Sequence, residues 1–107
     1  MLDFDAFFKE LKAGMAEIAK KEATDFVSEA TSDGDVFLNA VKADLKKWAK
    51  QYAEGKLSKE NFEFLVKGKK DLAKMEALTQ AGLAAIRVDR IRMAMIDLII
   101  TTAGKLV

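Results

Sequence analysis

Apolar residues recur at alternating spacings of about four and three residues along the first thirty positions of the chain. The series comprises Phe4, Phe8, Leu11, Met15 and Ile18, and then Ala19, Ala23, Phe26, Val27 and Ala30. This spacing is typical of one face of an amphipathic helix and predicts a first helix from Asp3 to Ala30. The segment Thr31–Asp35 contains a glycine and several side chains that can cap a helix, so it predicts the first break.

A second helix is predicted from about Asp35 to Ala53, with a buried face formed by Val41, Leu45, Trp48 and Tyr52. The next five residues, 54–58, carry the signals of a tight turn. Gly55 suits the position after a helix end, and Ser58 suits the N-cap of the following helix. A connection this short predicts that the second and third helices pack antiparallel.

Between Ser58 and Thr102 the helical pattern is interrupted only by Gly68 and Gly82. Each glycine costs about 1 kcal/mol relative to alanine, which by itself does not force a break. Two interpretations follow. The segment forms one helix about 65 Å long, or it bends near Gly82 and folds back. In either case the predicted fold is all-α, an antiparallel bundle of three to four helices in a single domain over residues 1–107.

The segment from Met93 to Ile100 contains seven apolar residues in eight. Eight residues cover more than two helical turns, so apolar side chains point in every direction and must be covered on every side. A chain of 107 residues has few elements that can supply this cover. We therefore expect a homo-oligomer, most simply a dimer, in which other copies of the chain cover this helix.

Two features refine the expected interface. A row of small residues at i, i+4 and i+8, Ala77, Ala81 and Ala85, predicts a close helix crossing, although alanine is also simply the best helix former. The remaining interface candidates are Arg90, Met93, Ile96, Asp97 and Ile100. Asp97 lies between apolar residues, and a buried carboxylate needs a partner. It is expected either to pair with an arginine of another helix or subunit, or to reach solvent on a narrow polar edge.

Half of the residues are apolar and a third are charged, which is typical of a globular protein. The chain has no cysteine and no histidine, so disulfides, thiolate chemistry and the commonest general base are excluded. We find no glycine-rich phosphate loop, nucleophile elbow or metal-ligand motif. We therefore expect a protein that is not an enzyme and that uses no cofactor or metal.

Charge is unevenly distributed along the chain. Residues 1–41 hold four lysines and nine carboxylates, a net charge of −5, whereas residues 42–74 hold ten lysines and five carboxylates, a net charge of +5. One interpretation is an acidic helix packed beside basic ones. The alternative is a nucleic-acid-binding face formed by Lys42, Lys46, Lys47, Lys50, Lys67 and Lys70. The overall isoelectric point of about 7.9 disfavours nucleic acid as the partner.

The chain begins with an acidic, amphipathic segment and not with the basic start and apolar run of a secretory signal. The apolar run near the C-terminus is shorter than the roughly 20 residues needed to span a bilayer. We therefore expect a cytoplasmic protein. A larger protein partner is an alternative occupant for the apolar C-terminal segment, and a membrane surface is a less favoured one.

Overall fold

The computed structural model describes residues 3–106, and every regular element in that range is helical. The prediction of an all-α fold is confirmed. The described residues contain five α-helices, more than the three to four expected, and two short 3-10 turns at Lys70–Leu72 and Gly104–Leu106. The helices are α1 (Phe4–Glu22), α2 (Val27–Ala53), α3 (Lys59–Lys67), α4 (Glu76–Gln80) and α5 (Ala85–Ala103).

Helix α1 packs antiparallel to both α2 and α5. Its C-terminal half lies beside the start of α2, where Gly34 contacts Met15. Nearer the start of α1, the Lys42 amine lies 4.9 Å from the centre of the Phe8 ring. Against α5, Gly14 contacts Leu98. The apolar stripe of α1 thereby supplies one wall of the core.

The first predicted break is wrong. The chain breaks at residues 23–26 instead, and α2 runs without interruption through Thr31–Asp35. Gly34 is used for close packing, since a Cβ at this position would lie 3.2 Å from the Cβ of Met15. The Asp33 carboxylate accepts hydrogen bonds from two amides of α4. The residue types that indicate a turn are therefore used here for contacts between helices.

The turn between α2 and α3 is confirmed in detail. Gly55 adopts a φ of 76°, a left-handed conformation that glycine accepts without steric cost. The Ser58 hydroxyl accepts a hydrogen bond from the amide of Asn61 at 3.1 Å and so caps α3. The rings of Tyr52 and Phe62 stack across the hairpin with centroids 5.2 Å apart, so α2 and α3 are antiparallel as expected.

The interpretation of residues 58–102 as one continuous helix of about 65 Å is wrong, because the longest dimension of the described molecule is 42 Å. The predicted bend near Gly82 is confirmed, and Gly82 adopts a φ of 93°. An additional interruption separates α3 from α4 over residues 68–75, beginning at Gly68. Gly68 and Gly82, the two interruptions in the sequence pattern, therefore both lie at helix ends. The local cost of each glycine is small, and tertiary packing decides whether the helix continues.

Helix α4 is capped by a side chain from a distant part of the sequence. The residue at its N-cap position, Met75, has a left-handed backbone with a φ of 56° and provides no capping oxygen. The buried carboxylate of Asp33 on α2 accepts hydrogen bonds from the amides of Ala77 at 3.0 Å and Leu78 at 2.9 Å. Asp33 therefore does for α4 what an N-cap side chain normally does within one helix.

Two of the three arginines, all of which lie on α5, bind backbone carbonyls at the ends of other elements. Arg92 Nε donates to the carbonyl of Ala73 at 2.7 Å, and its guanidinium also pairs with Asp89. Arg87 donates to the carbonyl of Glu22, the last residue of α1, at 3.3 Å. These bonds satisfy carbonyl groups that a helix end or an irregular segment leaves without a helical partner.

We expect Asp33→Ala to lower the free energy of unfolding by about 2 kcal/mol, because it leaves two amides at the start of α4 without their acceptor. Asp35→Ala is the matched control on the same helix, and it should cause no comparable loss. Urea unfolding followed by circular dichroism measures both variants. Equal stability of the two would contradict the role given to Asp33.

Candidate interaction surfaces

The apolar segment of α5 is covered largely by the chain's own helices. Ile91, Met95, Ile96 and Ile99 are buried against a core shared with the other helices. The reasoning that other copies of the chain must cover this segment is therefore wrong, because the bend at Gly82 folds α5 back onto α1 and α3. Ile96 is 0% exposed and cannot contact a partner while the chain keeps this fold.

The opposite side of α5 carries a row of residues that remains on the surface, which we term the outer row: Ile86, Arg90, Met93, Asp97 and Ile100. Ile86 is 72% exposed and Met93 is 39% exposed, which makes them two of the large apolar side chains that lie open to solvent. Ile100 is half-buried, and Arg90 and Asp97 are exposed. The outer row retains four of the expected interface residues and adds Ile86, which sequence reasoning did not include.

The charges of the outer row have no partner in the part of the chain that the structure describes. Neither Arg90 nor Asp97 forms a salt bridge or a side-chain hydrogen bond within residues 3–106. Asp97 is exposed in the single chain and is not paired with an arginine among the described residues, so a pair with an arginine of another subunit stays a prediction. Both charged groups are therefore available to a second molecule.

The predicted small-residue row does not form a helix crossing. Ala77 lies in α4, Ala81 follows its last residue, and Ala85 begins α5 beyond the turn at Gly82. The i, i+4, i+8 spacing therefore does not place these residues on one helix face. Close approaches between helices occur at two glycines instead, Gly14 against α5 and Gly34 against α1.

The predicted basic face lies on the surface. All six candidate lysines are exposed, with four on α2, Lys67 at the end of α3 and Lys70 in the following 3-10 turn. None of the six pairs with a carboxylate within residues 3–106. The nearby carboxylate of Asp44 is bound to Lys69 at 3.1 Å. We use the name lysine face for Lys42, Lys46, Lys47 and Lys50 on α2.

An open groove of about 920 Å³ lies where the start of α1 meets the ends of α2 and α5. Three carboxylates and three lysines line it, together with the edges of two phenylalanines: Asp3, Glu10, Glu54, Lys46, Lys50, Lys105, Phe4 and Phe7. Lys105 pairs with Glu10 at 2.9 Å. Charges of both signs line the groove, so it favours no single class of charged ligand and we assign none to it.

Within residues 3–106 no helix is long and apolar enough to cross a membrane. The same range contains no group of three or more carboxylate side chains placed to hold a metal ion. Comparison of the chain with protein-family models, curated proteins and solved structures gave no match.

The two sides of α5 should respond differently to truncation. Ile96→Ala should lower the free energy of unfolding by about 2 to 5 kcal/mol, because it removes fully buried methyl groups and leaves a cavity. Met93→Ala on the outer row should cost less than about 1 kcal/mol. Thermal or urea unfolding of both variants at a low protein concentration measures the difference. Similar losses would contradict the division of α5 into a core side and an outer side.

Proposed function

We propose that this protein is a helical interaction protein that works as a homo-oligomer, most simply a dimer, and that the outer row of α5 is its contact surface. In this role the protein acts in the cytoplasm and catalyses no reaction. The main support for this proposal is that one face of α5 combines the exposed apolar side chains of Ile86 and Met93 with charges of both signs. These charges, on Arg90 and Asp97, are unpaired within residues 3–106.

The spacing of the outer row supports a helix partner. Its members follow one another at intervals of four, three, four and three residues. This average of 3.5 residues is the pattern of the seam of a two-stranded coiled coil, in which the row on one helix packs against a row on another. Ile86, Met93 and Ile100 then occupy equivalent positions seven residues apart, with Arg90 and Asp97 in the alternate positions.

The size of the surface indicates how strong the association should be. From Ile86 to Ile100 the row is about 21 Å long at 1.5 Å per residue. A single helix face of this length offers less area than a standard stable interface of about 800 Å² on each partner. We therefore expect a reversible dimer whose population rises with concentration, so that dilute protein is monomeric and concentrated protein is dimeric.

Molar mass by light scattering across a concentration series tests this proposal. We expect the mass to rise from 11.8 kDa toward twice that value in the wild-type protein. Met93→Lys should keep the mass at the monomer value over the same range, because it places a charge at the centre of the outer row.

The matched control is Val36→Lys. Val36 is an apolar residue on α2 that is 61% exposed and lies outside the outer row. This variant should dimerise as the wild type does. A wild-type mass that stays at the monomer value at every concentration would overturn the proposal, and so would equal loss of association in the two variants.

Binding of nucleic acid or another polyanion through the lysine face is the second candidate function. It is favoured by four exposed lysines on α2 that pair with no carboxylate in the described residues. Lys42, Lys46 and Lys50 recur every four residues and so form one stripe along the helix. Such a stripe can follow a phosphate backbone, and the binding would weaken steeply with salt.

Fluorescence anisotropy with labelled duplex and single-stranded DNA at low salt tests this second function. The double variant Lys46→Glu/Lys50→Glu should weaken binding by about tenfold or more, because two phosphate contacts become repulsive. The control, Lys20→Glu/Lys21→Glu, changes the net charge equally on α1. Equal weakening by both variants would indicate a response to net charge alone, and absence of any binding by the wild type would dismiss this function.

A further inference from the structure

We propose that the second copy docks antiparallel on α5, so that Arg90 of each copy lies within reach of Asp97 of the other and Met93 lies near the two-fold axis. This inference rests on the proposed function and adds the orientation of the two helices. The order of charges along the outer row supports this orientation.

The order of charges distinguishes the two possible orientations. In a parallel pair related by a two-fold axis, equivalent positions meet, so Arg90 faces Arg90 and Asp97 faces Asp97. Like charges directly opposed across an interface are unfavourable. In an antiparallel pair the sequence order is reversed, and each Arg90 meets Asp97 of the other copy. The row is therefore complementary to itself only in the antiparallel orientation.

The local chemistry is compatible with two such pairs. Arg90 and Asp97 are exposed and have no salt-bridge partner among residues 3–106, so pairing them breaks no existing ion pair. The other nearby charges of α5 are engaged within the chain, since Asp89 pairs with Arg92. The arginine fork can bind a carboxylate through two hydrogen bonds, which also sets the register of the two helices.

Symmetry places the axis near the middle of the row. A two-fold contact uses the same patch on both copies, so a residue midway between the paired charges faces its own equivalent. Met93 and Ala94 lie midway between Arg90 and Asp97. Met93 is the exposed apolar residue of the two, and its flexible thioether suits self-packing. Ile86 lies about 10 Å further along the helix and so falls about 20 Å from its own equivalent.

Charge reversal tests the orientation. Arg90→Glu and Asp97→Arg should each raise the dimer Kd by about tenfold, because each creates two like-charge contacts in the symmetric dimer. The double variant Arg90→Glu/Asp97→Arg exchanges the charges and should return the Kd to within about threefold of the wild type. Sedimentation equilibrium measures all four proteins. Unchanged Kd values in the single variants, or a double variant weaker than either, would overturn the antiparallel arrangement.

Cysteine crosslinking provides an independent readout, since the chain has no cysteine of its own. Met93→Cys should form a crosslinked dimer with a short bis-maleimide reagent at concentrations at which the protein dimerises. Ile86→Cys should not, because the two thiols lie too far apart. Both residues are exposed, so both variants keep the core intact. Equally efficient crosslinking by the two variants would identify a parallel pair and overturn this inference.

The outcomes separate this inference from the proposed function. A wild-type protein that dimerises and loses dimerisation in Met93→Lys, but shows no rescue in the charge exchange, would keep the interface and discard the antiparallel orientation. A wild-type protein that stays monomeric would discard both. Recovery of the Kd in the double variant together with selective crosslinking at position 93 would support both.

Discussion

The arrangement of the second half of the chain depends on the buried carboxylate of Asp33. It binds two amides of α4, which is only five residues long and too short to be stable as an isolated helix. Without this acceptor the two amides would lose their hydrogen bonds in a largely buried position, which is costly. By binding these amides, Asp33 holds α4 against α2, and α4 is the element that directly precedes the turn at Gly82 and the start of α5.

The path of α5 determines which of its residues are available for interaction. Once α5 lies against α1 and α3, its Met95, Ile96 and Ile99 side chains complete the core. Arg87 and Arg92 reach backward to carbonyls of other segments and so bind the beginning of α5 to the rest of the molecule. Most of the apolar side chains of Met93–Ile100, which led us to expect a homo-oligomer, are therefore buried or half-buried within the chain itself. The surface of α5 that stays available to a partner is the outer row, which is narrower than the interface expected from the sequence.

The surface position of Arg90 and Asp97 determines what these two charges can do. The sequence pattern grouped Arg90 and Asp97 with the residues of a buried interface. In the structure both lie on the exposed side of α5, where they can determine how a second copy is oriented. Within residues 3–106 neither charge forms an ion pair, and solvent screens both, so they add little to the stability of the single chain. Their order along the helix still distinguishes the two ways in which a second copy can dock. The lysine face lies on α2, so the two candidate functions involve different helices.

The sequence by itself determined the helical class, the buried faces of α1 and α2 and the capped turn from Gly55 to Ser58. These features depend on interactions among residues a few positions apart, which periodicity and capping signals reveal. Only the tertiary structure decided that Thr31–Asp35 is helical, that Ala23 to Phe26 is a break and that Ile96 is core. A glycine alters helix stability by only about 1 kcal/mol, so packing can outweigh it. The carboxylate of Asp33 and the amide of Ala77 that donates to it are 44 residues apart in the chain, a pairing that no local pattern encodes.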